Sequence, residues 1–146
     1  MTIAICWDLD GVIVHARPLE EHGCHPDAIR LYAILQAGHP LWLACLAGEQ
    51  DTQVAMLQLA HEHGVAAEHY HHLMNVWQTD LQIDTRVLGL MQKSKQAGAY
   101  IAIASNQDSL RALNLRNLPQ FQGLVDVWGF SCDIGSAKPH DEFYKG

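Results

Sequence analysis

Two carboxylates separated by one residue, Asp8 and Asp10, stand directly after the apolar run Ile3-Ala4-Ile5 and just before Gly11. Side chains alternate along a strand, so residues two apart can share a direction. Two acids at the end of a buried strand are expensive to desolvate unless a cation or a reaction uses them. Surface carboxylates are the plainer alternative, but an apolar run leading straight into such a pair favours a site. Two further stretches repeat the arrangement of polar groups after an apolar run. Ser105-Asn106 follows Tyr100 to Ala104, and the loop Gly135-Ser136-Ala137-Lys138-Pro139 follows the run that ends at Phe130. Each has a duller reading when taken alone. Ser105 could be a helix cap or turn residue, Asn106 could only shape the turn, and Lys138 could be a surface lysine before a proline.

The elements that must hold these groups can be read from periodicity. Ile3 to Trp7, Tyr100 to Ala104 and Leu124 to Phe130 read as buried strands. Helical stripes are predicted from Pro26-Asp27 to about Gly38, from Asp51 or Thr52 to Gly64, and from Glu68 to Trp77. Two more run from Asp84 or Thr85 to Gly98 and from Asp108 to Asn117. The run Leu41 to Ala47 fits a short strand or a buried helical turn equally well. Strand, helix, strand, helix, strand predicts an α/β fold, a Rossmann-like parallel sheet with helices on both faces. Ligands in such sheets bind beyond the carboxyl ends of the strands, where Asp8, Asp10, Ser105 and Lys138 all fall. The mainly helical block 15–84 interrupts the alternation and is expected to be an inserted cap, with residues 1–14 and 85–146 forming the core.

In order and spacing, Asp8-Leu9-Asp10-Gly11-Val12-Ile13, Ile101 to Asn106 and Gly135 to Pro139 resemble three of the four motifs of the haloacid dehalogenase-like (HAD) superfamily. The resemblance implies a magnesium-dependent phosphohydrolase working through an aspartyl phosphate on a small phosphorylated metabolite. Asp8 would be the nucleophile and Asp10 the acid and base. Ser105, Asn106 and Gly11 would surround the phosphoryl group, and Lys138 would place a fixed charge against it. Asp8 and the Asp10 backbone carbonyl would hold magnesium. Dehalogenases of this superfamily generally lack the second aspartate, so Asp10 points to phosphate esters.

The fourth motif, an acidic pair after a further strand, has no counterpart. Asp141 and Glu142 lie too close to Lys138, and Asp133 precedes the third motif. The core is therefore expected to be C-terminally incomplete, with weak magnesium binding. Its first strand is expected to lack a neighbour and to pair with a second copy of the chain or with a partner. The rival reading is a HAD-derived module that binds or oligomerises without catalysis.

Bulk properties narrow the classes. The 146 residues suit one domain, and 49% hydrophobic with 17% charged residues argues against disorder. A formal charge of −7 disfavours nucleic acid and anionic membranes as partners. No apolar run long enough for a membrane span and no secretory pattern is apparent. Cys6, Cys24, Cys45 and Cys132 are scattered, which suggests reduced thiols in the cytoplasm. His61, His63, His69, His71 and His72 form a conspicuous group, better read as a solvated or substrate-facing cap surface than as a metal site. Trp7, Trp42, Trp77 and Trp128 are expected to pack in the core or cap. Arg17, just past the first motif, is a weaker candidate for holding a substrate anion.

Overall fold

A computed structural model describes residues 3–146. Its main sheet has three parallel strands in the order β1 (Ala4–Trp7), β4 (Tyr100–Ser105), β5 (Val127–Phe130). The register pairs Cys6 with Ala102 and Trp7 with Ile103, then Ser105 with Phe130. That register brings Asp8, Ser105 and the segment after Phe130 to one end of the sheet, because all three strands run the same way. β5 is shorter than the Leu124–Phe130 run predicts. The Asp126 carboxylate accepts the Ile101 N–H at 2.7 Å and its own N–H donates to the Ile101 carbonyl, so this segment approaches β4 through a side chain before the ladder begins. The core around the sheet gathers Leu9, Ile13, Met91, Ile101, Ile103, Leu115, Phe121 and Phe130, all nearly inaccessible. Helices α5 (Thr85–Gln96), α6 (Ser109–Arg116) and the single turn α7 (Ser131–Ile134) belong to this part.

A second, separate apolar cluster joins Leu31, Leu35, Met56, Leu59, Tyr70 and Leu73. These come from α1 (Pro26–Gln36), α3 (Thr52–Glu62) and α4 (Ala67–Thr79). Its fourth helix, α2 (Pro40–Leu46), settles the ambiguous Leu41–Ala47 run as helical. Pro40 occupies its first turn, where the missing N–H costs nothing, and the His39 ring accepts the Leu41 N–H at 3.2 Å. Of the alternative caps, aspartate is used each time. Asp51 accepts from Val54 N–H, and Asp84 accepts from Arg86 and Val87 N–H.

Among the elements that periodicity missed is an antiparallel ribbon of β2 (Val14–His15) and β3 (Gln82–Ile83). At two residues each, these strands are too short to leave a pattern in sequence. They bind together the two connections between the clusters. Beside them Asp80 accepts the Arg17 N–H at 2.7 Å and meets the His22 ring at 3.0 Å. Burial pushes the Asp80 carboxyl up, but the Arg17 N–H, His22, Gln82 and the Arg17 charge outweigh it and hold it below the usual range. After the third motif the chain forms a 3-10 helix over Asp141–Lys145, with Asp141 and Glu142 in its first turn. Among the described residues, no helix is long and apolar enough to cross a membrane.

Candidate active site

At the end of β1, Leu9 is wholly buried while the flanking Asp8 and Asp10 side chains are about half exposed, at 51% and 48%. Burial of the residue between them anchors the chain and turns both acids toward solvent. The loop then folds back sharply: the Leu9 carbonyl accepts N–H groups from Val12, Ile13 and Val14 at 3.2, 2.8 and 2.9 Å. Gly11 makes this reversal with φ of +76°, a region that an L side chain adopts at a cost.

One oxygen of Asp8 accepts the Leu9 N–H and the Lys138 ammonium, both at 2.9 Å. Its other oxygen has no protein partner among the described residues. Lys138 also donates to the Ala104 carbonyl at 3.0 Å, so its charge sits between the ends of β1 and β4. Asn106 fixes the lysine's backbone. Its carbonyl accepts the Lys138 N–H at 2.7 Å, and its amide donates to the Lys138 carbonyl at 3.0 Å. Both ends of the Asn106 amide are thus committed to the loop. Ser105 is buried, and its hydroxyl accepts from the Gln107 amide at 2.9 Å.

Two residues that sequence reasoning did not single out complete the arrangement. The Gln107 side chain links Ser105 to Asp10, 2.5 Å away, and its backbone is clamped by Ser131, whose hydroxyl accepts the Gln107 N–H and donates to its carbonyl. Arg111, on α6 and 6% exposed in its side chain, donates to Asp10 at 2.9 Å and to the Trp77 carbonyl of α4 at 2.6 Å. Its guanidinium lies 5.1 Å from the Trp77 ring centroid. A single buried cation therefore joins the candidate acid and base to the helical cap. The available signal was spacing: Arg111 stands one helical turn past Asp108, on the face that α6 turns to the strand ends.

A cleft of about 620 Å³ opens between the two apolar clusters beside Asp10, lined among others by Arg17, Tyr32, Trp42, Trp77, Asp80 and Arg111. Arg17 thus lines the cleft while also pairing with Asp80 at 3.6 Å. The five clustered histidines do not line it. His61, His63, His71 and His72 are exposed, and His69 stacks on His25 with centroids 3.8 Å apart. Trp128 packs against Phe121 and Phe130 in the core, whereas Trp42 and Trp77 meet edge to face at the cleft wall.

The donor set falls short of a resident magnesium site. Asp8 offers one oxygen free of protein partners and Asp10 its backbone carbonyl, but the Asp10 carboxylate is engaged by Arg111 and Gln107, and the described residues bring together no group of three His, Cys, Asp or Glu able to hold a metal. Hard cations take about six oxygen ligands, so most would have to come from water or substrate.

No protein-family model and no curated protein matches the sequence. Solved structures do match. A HAD family enzyme of Bacteroides thetaiotaomicron, crystallised with magnesium and inorganic phosphate, superposes with a TM-score of 0.74 at 16% identity over 99% of this chain and 76% of its own. A predicted HAD-like family hydrolase of Porphyromonas gingivalis gives 0.65 at 18%, over 99% and 74%. A dehalogenase gives 0.65 at 15%, over 98% and 69%. Likeness at this identity speaks for architecture alone, and it agrees with the three-stranded parallel sheet and its flanking helices: the chain has the haloacid dehalogenase-like fold.

Proposed function

We propose that the chain is a hydrolase of phosphate monoesters that works through an aspartyl phosphate on Asp8. The observation that carries this reading is the Lys138 ammonium 2.9 Å from one Asp8 oxygen while the other is left without a protein partner. A carboxylate oriented by a fixed cation, with its second oxygen open, is arranged for attack on an electrophile that carries negative charge. The free oxygen of Asp8 attacks phosphorus, the bond to the leaving oxygen breaks, and that oxygen takes a proton from Asp10 in its acid form. Water then attacks the phosphorus and gives its proton to Asp10 as phosphate leaves and the Asp8 carboxylate is restored. Arg111 and Gln107 hold Asp10 in place for both steps, with Ser105 behind Gln107. The Bacteroides enzyme holds magnesium and phosphate; in this chain any magnesium would be a weakly held companion of the substrate, since the residues supply few ligands.

A second reading has its own support. Asp10 is engaged twice in the resting structure and the metal donor set is sparse, as in a binding module that has lost turnover. Hydrolysis of p-nitrophenyl phosphate, with and without magnesium, separates the two. Wild type is expected to release p-nitrophenol, and Asp8→Asn to lose roughly 100-fold or more of kcat. Equal rates for the two proteins would leave only the binding module.

A further inference from the structure

One wall of the cleft beside Asp10 has the chemistry of a site for a flat, apolar body. We propose that it receives the leaving group of the substrate, and that this group is an aromatic alcohol or phenol. The inference rests on the phosphomonoesterase reading and names its substrate class.

Three rings form one side of the cleft. Tyr32 and Trp42 each lie with centroids 5.9 Å from Trp77, tilted by 59° and 67° respectively. Leu19 and Val76 continue the apolar wall. Several polar groups that line the same cleft are occupied by other protein groups, whereas Arg17, about half exposed, meets Asp80 only through its Nε at 3.6 Å and keeps its terminal nitrogens for an ester's phosphate. The Tyr32 hydroxyl accepts from the Gln36 amide. Arg111 is committed to the Trp77 carbonyl and Asp10, while Asp80 is taken by the Arg17 N–H, His22 and Gln82. A sugar body entering here would bring several hydroxyls and find few free partners, and each unpaired buried hydroxyl costs free energy. An aromatic body brings apolar area and ring edges, which this wall can meet. Volume agrees, since about 620 Å³ is in the range that holds a compact organic molecule. Asp10 lines the cleft, so an ester seated there can present its bridging oxygen to the residue proposed to protonate it.

Trp42 and Trp77 are two of four tryptophans, so their emission can report occupancy. The test compares 1-naphthyl phosphate, glucose 6-phosphate and 1-naphthol on the intact Asp8→Asn chain, by tryptophan quenching and by calorimetry. The expected result is that the naphthyl ester binds about tenfold or more tightly than the sugar ester. The same preference should shrink severalfold in Trp77→Leu. Trp42→Leu, on the same wall, gives the same readout if Trp77→Leu fails to fold. Equal or tighter binding of glucose 6-phosphate, or a preference untouched by the folded tryptophan variant, overturns the proposal. The outcome that separates it from the hydrolase reading uses 1-naphthol, which has no phosphate. If naphthol binds in a Trp77-dependent way while wild type hydrolyses neither ester, the aromatic site stands and the hydrolase reading falls.

Discussion

Asp108 shows how one residue can serve local structure at a cost elsewhere. It caps α6 by accepting the Leu110 and Arg111 N–H groups, which orients the helix that carries Arg111 to Asp10. It is also wholly buried, and its second oxygen has no partner. Burial pushes its carboxyl up, more than the Leu110 and Arg111 N–H groups pull it down. An acid raised on folding makes the native state bind its proton more tightly than the unfolded chain does. Below the ordinary aspartate value of about 3.9 the residue is protonated in both states and contributes no pH dependence. As pH rises past that value the unfolded chain ionises first, and stability falls until the folded group ionises too. Asp108→Asn keeps an oxygen for the cap and removes the charge. Thermal melts should show the variant more stable than wild type at pH 7, with the gap closing at about pH 3. A gap of equal size at both pH values would mean the gain is not electrostatic.

Between elements, the docking of cap on core is set by how closely backbones approach. After α2 the chain turns at Gly48 with φ of +74°, and a methyl group there would run into the Cys132 carbonyl of α7. Two costs therefore fall on Gly48→Ala, left-handed backbone strain and a collision with main chain that cannot swing aside. Together they should destabilise the protein by about 2–4 kcal/mol. Gly11→Ala shares the positive φ but meets nothing within 4 Å, so its cost should be only about 1 kcal/mol. Urea denaturation of the two variants checks the difference. Equal losses would show that contact with Cys132 carries no weight.

At the scale of the whole molecule, one edge of the main sheet stands open among the described residues. Among the described residues β1 pairs only with β4, and Ile3 is 65% exposed, with Ala4 and Cys6 also exposed along the strand. A shallow groove lined by Ile3, Ile5, Ala97 and Ala99 runs beside it. Apolar strands with a free row of N–H and C=O groups recruit further strands. The chain is expected to self-associate at micromolar concentration through this edge. Its net charge of −7 opposes that association, so the effect should strengthen from about 0.01 to 0.15 M salt as repulsion is screened. Light scattering after size exclusion reads the mass, and Ile3→Lys should shift it toward monomer. A monomer at every salt concentration would count against a sticky edge.

The sequence by itself determined the three strands of the main sheet, the placing of Asp8, Asp10, Ser105 and Lys138 at their ends, and the helical character of the insertion, but it read the first strand as buried where Ala4 and Cys6 are exposed. Each of these follows from local periodicity, caps and turn residues, which act over a few positions. It left open whether Leu41 to Ala47 was helix or strand, because a short apolar run satisfies both periods until its neighbours decide. Tertiary structure alone revealed that Arg111 and Gln107 converge on Asp10, across 101 and 97 positions of chain. It alone joined Arg17 to Asp80 and lined a cleft with Tyr32, Trp42 and Trp77. These groups are ordinary where they stand in sequence. Their meaning comes from the folding of the cap onto the strand ends, and that is decided by packing between residues far apart along the chain.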